Sequence, residues 1–214
     1  RELSGYDQQK LKVRSDFQLN SWMGSLNMTL TNLNQETAGY ITGLNSYKDS
    51  GLNRKNLNPE AFRDANSQRL SLSLKREEEN GIALISPYIR KNDMQFLQHF
   101  LPGTPVEENS HTSIGLLFKR FLEFGNFSFT GGFQIELAEA ELIETQSNRL
   151  TTSSAFNNAT RPQGKHYDYE VDSKVYALFG GIEDFYIGDD LLLYGDLRAE
   201  SIKYDYNNRM NSGN

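Results

Sequence analysis

The chain of 214 residues carries 22 Lys and Arg against 28 Asp and Glu, a net charge of −6, and 37% of it is apolar. The acidic balance argues against a nucleic-acid partner. The lack of cysteine removes disulfides and thiolate metal sites, and no apolar run is long enough for a transmembrane helix.

Thirteen Phe, eleven Tyr and one Trp set the chain apart from disordered sequences. Outer-membrane barrels stay open as a class, because only alternate strand residues face lipid there. Period-2 patterning is present from the first segment. Leu11, Val13, Phe17 and Leu19 share one parity, and Lys10, Lys12, Arg14, Asp16 and Gln18 the other. Asn20-Ser21 reads as a tight turn, after which Trp22, Leu26, Met28 and Leu30 resume the alternation. Asn58 to Ala65 reads as a short loop helix, with Asn58 as cap and Pro59 in the first turn. A second hairpin places Leu70, Leu72 and Leu74 on one face, turns at Glu77–Gly81, and returns along Ile82–Arg90. Pro87 marks an edge or a local irregularity in that return strand. A third hairpin joins Ser113–Phe121 to Phe127–Leu137 around Glu123–Asn126. A fourth joins Tyr167–Ile182 to Leu191–Tyr206 through Glu183–Asp190. Its apolar parity reads as Tyr167, Tyr169, Val171, Val175, Ala177 and Phe179, with Leu191, Leu193, Leu197 and Ala199.

The short connections fall near 20–21, 77–81, 122–126 and 183–190. The long ones fall near 34–67, 91–111, 139–166 and from 206 onward. Strict alternation puts all turns at one end of the sheet and all long loops at the other, the habit of outer-membrane barrels. Loops of this length count against a compact soluble domain. Both chain ends then fall on the long-loop side, and residues 207–214 have a loop composition. The expected fold is all-β: a transmembrane antiparallel β-barrel of meander hairpins, with residues 1–214 supplying about eight consecutive strands of a larger barrel. A self-contained eight-stranded outer-membrane protein, an adhesin or small channel, is the rival; it requires both termini at the turn end. A soluble β-rich binding module is a third reading, and it should lack an apolar band of lipid height.

Several segments carry a family likeness. They are Gln35-Glu36-Thr37-Ala38-Gly39-Tyr40-Ile41-Thr42-Gly43; Gly51-Leu52-Asn53-Arg54 followed by Asn56 to Asp64; Arg90 to Pro105 followed by Glu107-Glu108-Asn109; Lys165 to Val171; and Tyr204 to Met210. Together, in this order, they resemble the β-barrel region of TonB-dependent outer-membrane receptors. The resemblance implies a barrel of 22 strands around an N-terminal plug, with plug and terminal strands outside this chain. It implies a place in the bacterial outer membrane and contact with its lipid. It also implies active uptake of a scarce ligand through the TonB complex. The usual cargo is a ferric siderophore, and other metal chelates are known.

No G-x-S-x-G, H-E-x-x-H or Gly-rich phosphate loop is present, so no enzyme is expected. No resident cofactor or metal is expected either. Candidate ligand contacts come from the long loops. His99, His111 and His166 suit an anionic or metal-chelate ligand; the competing and blander role is ordinary loop polarity. Arg54, Arg63 and Arg161 suit carboxylate-bearing chelates; the competing role is a solvated charge or an ion pair between loops. Tyr40, Phe96, Phe100 and Tyr167 offer rings for stacking, for pinning loops, or for an interfacial belt. The belt is the better reading for Tyr167 and Tyr169, by their shared parity with the apolar face. Glu107-Glu108 near His111 form a weak candidate cation site. Lys12, Arg14, Asp16, Asp172, Lys174, Asp196, Arg198 and Glu200 read as inward charges of a hydrated, plugged lumen.

Overall fold

A computed structural model describes residues 3–98, 102–188 and 191–211. Eight antiparallel strands form one sheet in chain order: β1 (Tyr6–Leu19), β2 (Trp22–Glu36), β3 (Phe62–Glu78), β4 (Gly81–Leu97), β5 (Val106–Phe124), β6 (Phe127–Gln146), β7 (Gly164–Ile187) and β8 (Leu191–Asn208). A 3-10 turn at Ser46–Lys48 and a short helix α1 (Ala155–Thr160) lie in the connections. Among the described residues, no helix is long and apolar enough to cross a membrane. Asn20 (φ 52°) and Gly125 (φ 46°) take left-handed backbone in the tight turns, where Asn and Gly are least strained. Residues 37–61, 98–105 and 147–163 make the connections at the opposite end. The expected alternation of short turns and long loops therefore holds.

Register assigns the faces. Val13, Met28, Leu70, Ile89, Ile114 and Leu137 sit opposite one another in one continuous row across β1 to β6. The row toward the turns holds Leu26, Leu72, Pro87, Leu116, Ile135 and Tyr176, and the next holds Phe17, Leu74, Ile85, Phe118, Phe133 and Leu178. This is the outward face. The apolar band slants across the rows. Its loop-end edge is Leu11 and Leu30 on β1 and β2, and lies one row lower at Leu70, Ile89, Ile114 and Leu137. It drops again to Tyr176 on β7 and to Ala199 on β8. Strands tilted within a barrel must step their register in this way to keep an apolar belt level.

The sheet has almost no interior. Ala61, Ala83 and Ala177 are the buried hydrophobic residues among those described. Leu11, Ile114 and Leu197 remain 52%, 56% and 82% exposed. A bare apolar band of this extent is unstable in water and is satisfied by hydrocarbon. Among the described residues β1 and β8 do not pair, so the eight strands form an open sheet.

Several expectations need correction. Residues 58–61 form a turn closed by the Ala61 amide to the Asn58 carbonyl (3.0 Å), and β3 begins at Phe62 where a helix was expected. Strands run further into the loops than alternation suggested. Arg63, Phe96, His111 and His166, expected in long loops, are residues of β3, β4, β5 and β7. Beyond the lipid neither face needs apolar side chains, so the pattern fades while backbone pairing continues. Pro87 lies on an interior strand. Beside it, β3–β4 pairing lapses between Ser71↔Tyr88 and Leu74↔Ile85 without a change of register, as a missing N–H requires. On β7 the expected face is inverted. Tyr176, Leu178 and Ile182 face outward with Ile135, Phe133 and Phe129, whereas Val171, Val175, Ala177 and Phe179 share the inward face with Glu136 and Gln134. Asp172 and Lys174 are accordingly outward, not lumenal.

Candidate functional site

The loop end of the inward face gathers most of the candidate residues. Gln35, Arg63, Phe96, Glu107, Glu144 and Tyr167 stand in one inward row from β2 to β7. The Arg63 guanidinium lies 5.7 Å from the centre of the Phe96 ring, a cation–π contact. Glu107 and Glu144 are direct cross-strand neighbours. Each carboxylate is held by its own donors, which offsets the like-charge repulsion. Glu107 accepts from Gln98 Nε2 (2.5 Å) and Asn109 Nδ2 (2.9 Å).

Glu144 anchors the 147–163 connection. Its Oε1 accepts from Arg161 Nη1 at 3.0 Å and lies 2.9 Å from His166 Nδ1, while His166 Nε2 lies 2.7 Å from the Pro162 carbonyl. Arg161 is the C-cap of α1, whose N-cap Ser154 accepts from the Asn157 amide. Gln146 ties in the neighbouring connection: its Oε1 accepts from the Thr104 amide (3.1 Å), and its Nε2 donates to the Asn148 carbonyl (2.9 Å). Arg161 and His166 thus meet on one buried carboxylate, which the sequence reading did not single out. Their arrangement fixes a loop base and leaves little of either for a ligand.

Deeper in the inward face, at the level of the apolar band, lies a second network. Glu136 accepts from Tyr88 Oη and from Arg90 Nη2, and Arg90 Nε donates to Ser113 Oγ at 2.6 Å. Arg69 and Arg90 stand 6.0 and 5.5 Å from the Tyr88 ring. A Cβ at Gly115 would overlap that ring, so the small residue makes room for it. Arg14 pairs with Asp16 (2.9 Å), and Arg198 with Glu200. The expected pairing of inward charges is met in these two cases.

Inward tyrosines line the mouth at β7 and β8. Tyr169 and Tyr206 rings are 5.4 Å apart and tilted by 40°. Tyr167, Tyr204 and Tyr206 are 41%, 70% and 57% exposed. Tyr167 and Tyr169 therefore do not form a lipid-facing belt. Tyr40 and Arg54 sit exposed in the 37–61 connection, and His111 faces inward between Asn92 and Ala140. His99 and Phe100 lie outside the described residues. Glu107 and Glu108 point to opposite faces, Glu108 taking a bond from Gln95 (2.8 Å), so they form no joint cation site.

On the outward face beyond the apolar band, Asp168 accepts from Lys165 and from Arg209 Nε (2.7 Å), while Arg209 Nη1 donates to Glu141 (2.6 Å). The Lys165 hydrogen bond, then that of Arg209, holds the Asp168 carboxyl below its ordinary range. Glu139, Glu170 and Asp172 bring carboxylate oxygens within 4.8 Å of one another nearby, with Arg209 at 3.8 Å from Glu170.

No protein-family model and no curated protein matches the chain. Solved structures do. The ferric citrate transporter FecA in its unliganded form superposes with a TM-score of 0.74 at 12% identity, covering 98% of this chain and 31% of that one. The ferric-catecholate import receptor Fiu from E. coli K12 gives 0.66 at 12%, covering 100% and 40%. The siderophore receptor PiuA from Acinetobacter baumannii gives 0.55 at 8%, covering 94% and 39%. The chain thus spans well under half the length of these proteins. At these identities the likeness is one of fold: antiparallel meander strands of an outer-membrane β-barrel, as the resemblance to TonB-dependent receptor barrels implies for this stretch.

Proposed function

We propose that these residues form part of the barrel wall and outer mouth of a TonB-dependent receptor in the bacterial outer membrane. The cargo is a ferric siderophore or a related metal chelate. The observation that carries this reading is the slanted apolar band on an open eight-stranded meander with all long connections at one end. Open edges at β1 and β8 call for further strands, which a longer chain would supply together with a plug. They speak against a self-closed eight-stranded barrel. The superposition on one transporter, one import receptor and one siderophore receptor supports the same reading.

Within it, the strands at the mouth offer ring faces more than free guanidinium, while Arg54 stays exposed in the 37–61 connection. Arg63 is stacked on Phe96, and Arg161 is bound to Glu144. Tyr167, Tyr204 and Tyr206 stay open. A chelate with aromatic rings fits this better than one recognised through carboxylates alone. The mechanism needs no covalent chemistry. The wall holds the ligand at the mouth, and energy-coupled movement of the plug admits it.

The test is radioiron uptake in cells lacking the receptor, with and without the full-length protein restored. Ferric citrate and a ferric catecholate are supplied in turn, with or without a protonophore. The reading predicts receptor-dependent entry that the protonophore abolishes. Entry unaffected by the receptor for every ferric chelate tried would overturn it.

A further inference from the structure

Where β6 and β7 flank the 147–163 connection, β7 carries one residue more than β6. Glu144 pairs with Tyr167 and Thr145 with Lys165, so His166 is the extra residue of a β-bulge. Strict alternation would send its side chain to the face opposite Tyr167 and Glu144. The bulge instead brings the imidazole onto the Glu144 carboxylate and almost wholly out of water.

Both ring nitrogens meet acceptors. Nδ1 lies 2.9 Å from Glu144 Oε1, and Nε2 lies 2.7 Å from the Pro162 carbonyl. A peptide carbonyl has no hydrogen to give, so Nε2 carries a proton. Arg161 Nη1 already donates to Glu144 Oε1 at 3.0 Å, as it would to an ionised carboxylate. The proton between that oxygen and Nδ1 therefore belongs to the ring. A neutral imidazole has one N–H and cannot make both bonds, so the ring in this arrangement is an imidazolium. The local charges agree. Glu144 and its cross-strand neighbour Glu107 bring two carboxylates, and Arg161 and His166 bring two cations. Glu107 takes neutral amide donors from Gln98 and Asn109. Of the remaining titratable groups about the ring, Lys165 is paired with Asp168, Arg209 completes Asp168, and Tyr167 follows on the same strand.

We propose that His166 is a proton-operated latch on the 147–163 connection. Protonated, it clamps the Pro162 carbonyl to the Glu144 carboxylate of β6. Deprotonated, it keeps one N–H, and a bare ring nitrogen then faces either the carboxylate or the carbonyl. One of the two contacts is lost, and the foot of the connection loosens. The neighbouring ties, Gln163 Nε2 to the Ser147 carbonyl (2.8 Å) and Gln146 Nε2 to the Asn148 carbonyl (2.9 Å), join groups that do not titrate in this range. The closed form needs the proton, so its stability is full in acid and falls as pH rises through the titration of the ring. The latch goes beyond the uptake reading. It requires only that this connection is bathed by solvent, and it holds for any cargo.

The test is hydrogen exchange of the full-length receptor in detergent, read by mass spectrometry from about pH 5.5 to about pH 8.5, the range in which imidazole titrates. Labelling times are scaled for the intrinsic pH dependence of amide exchange. Protection of peptides from 147–163 should fall about tenfold across the range, as expected for losing one hydrogen bond to a charged group. The 37–61 connection, which contains no histidine, should stay level. His166→Gln cannot titrate, and its 147–163 peptides should show one degree of protection at both ends of the range. Wild-type protection that ignores pH would overturn the latch, and so would an undiminished pH response in His166→Gln. The wild-type series decides the matter even where the variant does not fold. Loss of ferric uptake would bear on the cargo and leave this exchange pattern untouched.

Discussion

His166 Nδ1 stands 2.9 Å from Glu144 Oε1, and the two side chains are only 9% and 4% exposed. The same oxygen holds Arg161, the C-cap of α1, so one carboxylate on β6 ties down the end of that helix and the start of β7. Removing a buried carboxylate leaves its partners without a counter-charge. Glu144→Ala should therefore destabilise the 147–163 connection by about 3 kcal/mol. Limited proteolysis should cut that connection first, with the strands still protected. Protection equal to wild type would show that the anchor is elsewhere.

The inverted face of β7 gives a paired prediction. Leu178→Lys puts a charge on the lipid side and should cost roughly 2–4 kcal/mol of folding free energy in bilayers. Val175→Lys puts the same charge beside Glu136 on the inward face and should cost under about 1 kcal/mol. Urea unfolding in lipid vesicles measures both. The opposite ranking would restore the parity first read from the sequence.

Two glycines differ in what crowds them. A Cβ at Gly132 would run into the Phe118 carbonyl of the neighbouring backbone, whereas one at Gly115 meets the Tyr88 ring, which can swing away. Gly132→Ala should lower stability by about 2–3 kcal/mol, and Gly115→Ala by about 1 kcal/mol. Thermal unfolding followed by gel mobility ranks them. Equal midpoints would count against the tight β5–β6 approach.

Asp168 links β7 to Arg209 just past β8. Its carboxyl is held below the ordinary value of about 3.9. The proton is therefore bound more weakly in the folded protein. The tie is fully present above that ordinary value, and it is lost as pH falls through the depressed one. Hydrogen exchange near Asn208 should stay slow down to about pH 4 and quicken below it. Asp168→Asn should show the fast behaviour already at neutral pH. Exchange that ignores both changes would refute the tie.

How far the sequence speaks depends on where lipid lies. Within the band, water and hydrocarbon impose opposite demands on alternate residues, so Leu70, Leu72 and Leu74 and the run Phe127 to Leu137 reveal their faces directly. Past the band both faces meet water, and the segments holding Phe96, His111 and His166 look like loop although they pair as strand. On β7 both parities carry apolar residues, Val175 and Phe179 on one, Tyr176 and Leu178 on the other. Only the register with β6 decides between them, and a register is a property of two segments at once. The Glu144 anchor escaped for the same reason: its partners come from the next connection and the next strand.

The slant of the apolar belt makes the rim uneven. Above the belt, β1 extends only from Leu11 to Tyr6, whereas β7 extends from Tyr176 up to Gly164. With strands inclined by about 40°, that is roughly 13 Å of rampart on one flank and roughly 30 Å on the other. On the low flank the 37–61 connection takes over from the strands, and Asn56 donates to the Leu3 carbonyl at 2.5 Å. Among the described residues the wall is strand on one flank and loop on the other, so backbone pairing stiffens the first and side-chain ties hold the second.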